Sequence, residues 1–327
     1  MRRREFIKLL VGSLAGGPCA AFAQPSSRVY RLGSVNPALP LAPQSPFGKI
    51  LIDALAQRGY VIGQNLTYDP RGAMGDDSKI PELMAALRDE HVEVVVGVGY
   101  PAAVIAKASK IPTVMAWGVG DPVATGLINS LARPGGNVTG ISDVATTLTT
   151  KRLDLLRAFS PTLRRIAMLW NKDDLGMTMR YQASAQVAQS SGITVQPLGV
   201  REPDDFDEAF AAMNKEPPDA ILMVADALTV LNRKRVFDFA ADRRLPTIYE
   251  YSFLVRDGGL MSYGPDLKEC LERVAAMVDR IFKGDRPADL PFEEPTHYPF
   301  AINLKTAKAA GLVVPANLLA LADEVIE

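Results

Sequence analysis

The chain has 327 residues, 48% of them hydrophobic and 22% charged, with a net charge of −1. That balance gives no basic surface for a nucleic acid or an anionic membrane, so neither is expected as a partner. At this length, well above what one hydrophobic core usually serves, two domains are expected.

In chain order the first element is an address. Arg2, Arg3 and Arg4 start a short apolar stretch at 9–15, and Ala21-Phe22-Ala23 supplies the small-x-small pattern of a signal-peptidase site. The apolar stretch is far shorter than the roughly 20 residues that cross a bilayer, so it is predicted to be a removable signal cut after Ala23. Arg3-Arg4-Glu5-Phe6-Ile7-Lys8 resembles the twin-arginine export motif, with an ordinary Sec signal as the alternative. Removing four basic residues and one acidic residue takes the net charge from −1 to −4. Cys19 falls within the signal behind a poor lipobox, and the other cysteine, Cys270, lies in an apolar helical pattern as core filler. A mature chain with one cysteine has no internal disulfide.

From residue 29 the chain alternates short β-rich runs with amphipathic helical stretches. Strands are predicted at 29–35, 66–68, 93–98 and 111–116, with helices at 47–58, 80–90 and 101–110. The run at 93–98 is nearly unbroken β-branched sequence, as expected of a parallel strand buried on both faces. After the turn Arg133-Pro134-Gly135-Gly136-Asn137 the pattern restarts. Strands follow at 165–170, 194–198, 220–224 and 246–249, and helices at 150–159, 179–190, 205–213 and 228–242. A second break, Asp257-Gly258-Gly259, precedes a run at 260–264 and a helix at 266–283. A proline-rich stretch at 287–299, a short strand at 300–303 and further helix complete the pattern. Two βαβ series in tandem predict an α/β protein of two Rossmann-like lobes with parallel sheets, facing each other across a cleft. Lobe 1 is expected to hold 28–140 and 262–292, and lobe 2 to hold 141–261 and 293–327. The glycine-rich breaks near 140 and 260 are expected hinge crossings.

Four segments carry a family resemblance: Asp121-Pro122-Val123-Ala124-Thr125-Gly126-Leu127, Arg133 through Gly140, Met261-Ser262-Tyr263-Gly264, and Ile302-Asn303-Leu304-Lys305-Thr306-Ala307-Lys308. In that order they resemble the ABC-transporter substrate-binding proteins of the tryptophan/tyrosine-importer type. The resemblance implies a type I periplasmic-binding-protein fold with a three-segment hinge. It further implies a small-molecule solute, ABC permease and ATPase partners, a periplasmic location and no catalytic activity. The protein is expected to act as a monomer without cofactor. The expected solute is an amino acid, an aromatic one included, or a related carboxylate. A role in presenting solute to a sensory receptor is the alternative within the same fold.

Candidate ligand groups lie at strand ends. Gly99, Tyr100, Pro101 and Ala102 open a helix whose amides could receive a carboxylate, or form a tight turn that binds nothing. Gly97-x-Gly99-x-x-Ala102 also matches the dinucleotide fingerprint, which makes an exported NAD(P)-dependent oxidoreductase the enzyme alternative. That fingerprint belongs on the first βα turn, however, and here it follows a later strand. Asp121 and Asp143 could pair with an ammonium or serve as turn and cap residues. Asn171, Asp226 and Glu250 occupy the matching strand ends of the second lobe, with Tyr249 and Tyr251 available for ring stacking. Ser34 and Asn36 are weaker candidates, and Trp117 and Trp170 suit either the cleft or the core. The two histidines, His91 and His297, lie far apart with no cysteine or carboxylate spacing around them, which argues against a zinc site. Neither a G-x-S-x-G elbow nor a phosphate-binding loop occurs.

Overall fold

The computed structural model describes residues 28–142 and 147–327. The expected signal, with Cys19, and Asp143 lie outside the described residues. Five parallel strands make the first sheet: β1 (Tyr30–Asn36), β2 (Leu66–Gly72), β3 (Val94–Gly97), β4 (Thr113–Met115) and β5 (Val138–Gly140), in the order β2-β1-β3-β4-β5. The second sheet begins with β6 (Arg165–Asn171), β7 (Thr194–Val200), β8 (Ala220–Met223) and β9 (Thr247–Tyr249). It continues with β10 (Met261–Tyr263), β11 (Phe300–Asn303) and β12 (Glu324–Ile326), in the order β12-β11-β10-β9-β8-β6-β7. Its one antiparallel pairing is β10 with β11.

These strands form where apolar runs can be covered on both faces. Val94, Val95 and Val96 of β3 are fully buried, as are Ile166 to Leu169 of β6. Helices alternate with them because the period changes to an amphipathic one. The helix Leu267–Phe282 buries Leu271, Val274 and Val278 on one face while Lys268, Glu272 and Arg280 stay at the surface. It returns to the first lobe and packs on the helix Pro46–Ala56. Tyr30, Tyr60 and Phe282 cluster beside it, with Tyr60 donating to Asp279 Oδ1 at 2.7 Å. Cys270 is fully buried on that helix.

Two boundaries differ from the sequence reading. The break Asp257-Gly258-Gly259 lies between the helix Ser252–Arg256 and β10, inside the second sheet's own connections. The chain leaves that sheet only after Tyr263. The helix expected at 228–242 is two helices, Ala227–Leu231 and Arg233–Arg243. A capping box of Asp226 and Thr229 starts the first, and Asn232 leaves helical geometry while its Nδ2 donates to the Leu228 carbonyl.

Candidate functional site

Both sheets reverse strand order beside their first strand, between β1 and β3 and between β6 and β8. A crevice outside the carboxyl ends of the strands follows at each reversal. The two crevices face each other and enclose one cavity of about 400 Å³. Asn36, Gly99 and Trp117 line it from the first lobe, and Asp174, Asp226 and Tyr251 from the second.

The turn after β3 is built for close approach. Gly99 and Gly118 adopt φ of +78° and +75°, which side-chain-bearing residues rarely do. The Gly99 N–H donates to the Trp117 carbonyl at 3.0 Å, and a Cβ on Gly118 would lie 3.3 Å from Gly99 Cα. Aromatic rings continue the wall from one lobe to the other. Phe47 lies 5.5 Å from Trp117 and 5.4 Å from Phe253, and Phe253 stacks on Tyr251 at 5.9 Å between centroids.

Beyond the cavity the lobes touch through small residues. A Cβ on Gly176 would meet Tyr100 Cβ at 3.0 Å, and one on Gly120 would meet Gly176 Cα at 3.0 Å. At the opposite rim, a Cβ on Gly75 would lie 2.9 Å from Leu231.

Charge inside the cavity is acidic. Asp226 accepts from the Thr229 amide and hydroxyl, each at 2.8 Å. Burial raises its pKa above the usual carboxylate range, against the opposing pull of Thr229 and Asn171. Asp174 caps the helix Leu175–Ser190 by accepting from the Met177 amide at 3.0 Å. It is pushed up to about 7, first by burial and then by the neighbouring Asp226. Asp77, at the mouth, is pushed up to about 6 by the protein around it and by Asp226.

A raised carboxyl pKa means the folded state prefers the protonated form. The stability that Asp174 allows is therefore full below about pH 4 and is lost as pH rises through about 7. Asp174→Asn keeps a cap acceptor and removes the charge. The stability gap between variant and wild type should widen in the variant's favour by roughly 2 kcal/mol from pH 5 to pH 8. Urea unfolding at the two pH values checks this; an unchanging gap would mean Asp174 is not held uncharged.

The sequence candidates divide. Asn36, Gly99, Pro101 and Asp226 line the cavity, as do Trp117 and Tyr251. Asn171 is buried beside Asp226. Tyr100 sits at the contact between lobes, and Ala102 is core beneath its helix. Ser34 is fully buried, with its hydroxyl 2.9 Å from Tyr68 Oη. Asp121 is an exposed turn residue that accepts from the Val123 and Ala124 amides. Trp170 stacks on Tyr181 at 3.6 Å within the second lobe's core.

Tyr249 and Glu250 do not reach the cavity. Tyr249 is fully buried under the second sheet. Glu250, only 1% exposed, accepts from Arg180 Nη1 at 2.9 Å and lies 3.5 Å from Arg152 Nη1. Its Oε2 also accepts from the Ala225 amide at 3.1 Å, which fixes the loop that carries Asp226. Two arginines and one strand-end amide already hold this carboxylate, so no ammonium is needed to satisfy it. Asp77 and Asp174 escape the sequence reading because an aspartate before a helix signals a cap first.

Comparison with known proteins agrees with this geometry. The family model for ABC transporter substrate binding protein matches residues 48–326. A "Tyrosine-binding protein" of Clostridioides difficile is 25% identical over 263 residues, covering 80% of this chain and 75% of that one. A crystal structure of a conserved domain protein from Vibrio cholerae superposes with a TM-score of 0.84 at 23% identity, over 91% of this chain and all of that one. An ABC domain from Streptococcus pneumonia in complex with L-Trp gives a TM-score of 0.80 at 25% identity, with the same coverage. With the family model spanning most of the chain and one cavity closed between two like lobes, the chain belongs to the ABC transporter substrate-binding proteins.

Proposed function

We propose that the protein captures a small amine-bearing solute with an apolar body in the cavity between its lobes. It then presents the closed form to an ABC permease driven by ATPase subunits. Export to the periplasm with cleavage after Ala23 belongs to the same reading. So does a two-lobe division with crossings after β5, after β10 and within 283–299.

The observation that carries the proposal is the composition of the cavity wall. Asp77, Asp174 and Asp226 supply carboxyl groups that a bound ammonium would hold in the charged form, and Phe47, Trp117, Tyr251 and Phe253 supply ring surface. A carboxylate in a dry cleft makes a strong charge-assisted bond to an ammonium, and the rings take a flat apolar body. The names of two relatives, a tyrosine-binding protein and a complex with L-Trp, make aromatic amino acids and their amines the first solutes to try. The same acidic wall disfavours the pyrophosphate that an NAD(P) reading needs. Contacts from both lobes to one solute favour the closed form, since only a ligand with differential affinity shifts that equilibrium.

The test is a thermal-shift screen followed by small-angle scattering. A solute at 100 times its dissociation constant should stabilise the protein by about 2.7 kcal/mol and raise the melting temperature by several degrees. The same solute should reduce the radius of gyration. A bound solute with an unchanged radius would count against capture by closure.

A further inference from the structure

The cavity wall gathers three carboxyl groups, Asp77, Asp174 and Asp226, and a zwitterion would bring a fourth among them. Asp174 is 4% exposed, lines the cavity, and accepts a single hydrogen bond, from the Met177 amide. Among the described residues no basic side chain lies within ion-pair distance of Asp77, Asp174 or Asp226, although the charge of Arg180 behind the wall reaches Asp174 and opposes its upward shift. Among the described residues of the wall the one basic side chain, Arg233, is already engaged. Its Nε donates to Asp257 at 2.9 Å and its Nη1 to the Val230 carbonyl at 2.8 Å, so Arg233 and Asp257 cancel.

The helix that opens at Gly99 has two of its first three amide positions out of play for an anion, since the Gly99 amide donates to Trp117 and Pro101 has no N–H. A metal ion is also a poor fit. Among the described residues no three His, Cys, Asp or Glu side chains are grouped to hold one. The volume of about 400 Å³ and its ring-lined wall suit an organic body instead.

We infer that the solute is an organic cation, an amine with an aromatic-sized apolar body and no free carboxylate. This rests on the reading that the cavity is the solute site. A zwitterionic amino acid leaves the three aspartates as they are in net charge and places its own carboxylate among them. An amine of the same shape supplies the positive charge alone. The assignment separates this chain's solute from those named for its relatives, at the cost of one group on an otherwise similar molecule.

Matched pairs test it: tryptamine against tryptophan and tyramine against tyrosine, by calorimetric titration of the purified protein at pH 8. Allitol and indole-3-acetate serve as neutral and anionic arms. The expected result is that an amine binds at least tenfold tighter than its amino acid. Asp226→Asn and Asp174→Asn should each weaken that amine at least tenfold. An amino acid, polyol or carboxylate that binds tighter than every amine overturns the assignment. If its binding is still lost in Asp226→Asn or in the cavity-filling Ala227→Trp, the cavity remains the solute site. Binding that ignores both substitutions overturns the cavity reading too. Absence of heat from any amine at millimolar concentration overturns the assignment on its own.

Discussion

Arg180→Met should lower the stability of the protein by about 3–5 kcal/mol, the range found when one partner of a buried ion pair is removed. Arg180, Glu250 and Arg152 are each about 1% exposed, so the carboxylate left behind has no water to turn to. Adding Glu250→Gln to the same variant should not recover the loss, because buried Arg152 then loses the carboxylate it pairs with at 3.5 Å. Guanidinium unfolding of the two variants, with unchanged slopes, checks both statements. A double variant clearly more stable than Arg180→Met would show that Arg152 does not depend on this carboxylate. Solute affinity should also fall in Glu250→Gln, since Glu250 Oε2 holds the Ala225 amide beside Asp226.

Gly264→Ala is expected to be as damaging, for a steric reason. A Cβ at this position would lie 1.8 Å from the Glu250 carbonyl oxygen and 3.3 Å from Arg152 Nη2. Backbone must move to make room, and overpacking of that kind costs about 1–3 kcal/mol, more where backbone itself is the obstacle. Gly264 also marks the place where the chain leaves β10 for the first lobe, and Arg152 Nε donates to the Tyr263 carbonyl next to it at 2.7 Å. The substitution should therefore shift the unfolding midpoint and alter the solution radius of the ligand-free protein. A variant with wild-type stability would mean this crossing has slack that the packing does not show.

The architecture was legible where burial dictates composition. β3, β6 and β8 stand out as unbroken apolar runs, and both parallel sheets follow from their alternation with amphipathic helices. Less legible was any feature set by side-chain partnership. Glu250 at a strand end has the same sequence appearance whether it meets an ammonium or two distant arginines. Arg152 and Arg180 come from helices whose apolar positions do not advertise a buried charge. Asp226 was found because the unbroken apolar run from Ala220 to Ala225 leads straight into it. Asp174 lies three residues past its strand, where Asp173 is an equal candidate by sequence and is exposed on an ion pair with Arg201. Asp77 sits in a short 3-10 turn with no periodic signal at all. Strand-end position is thus a good guide to the cavity floor, and a poor one to its rim.

The return of the helix Leu267–Phe282 to the first lobe has a consequence for how the chain matures as it is synthesised. Domains generally acquire structure in the order they emerge. Here the first lobe emerges by residue 140, yet the helix that covers Leu51 and Leu55 arrives more than 120 residues later. The second lobe waits longer still, because β11 and β12 close its sheet from residues 300–326, with Arg256 gripping Glu324. Neither half can finish while the ribosome still holds the other. The nascent chain therefore carries an uncovered apolar face for most of its synthesis, and a holding chaperone would find that face before the fold does.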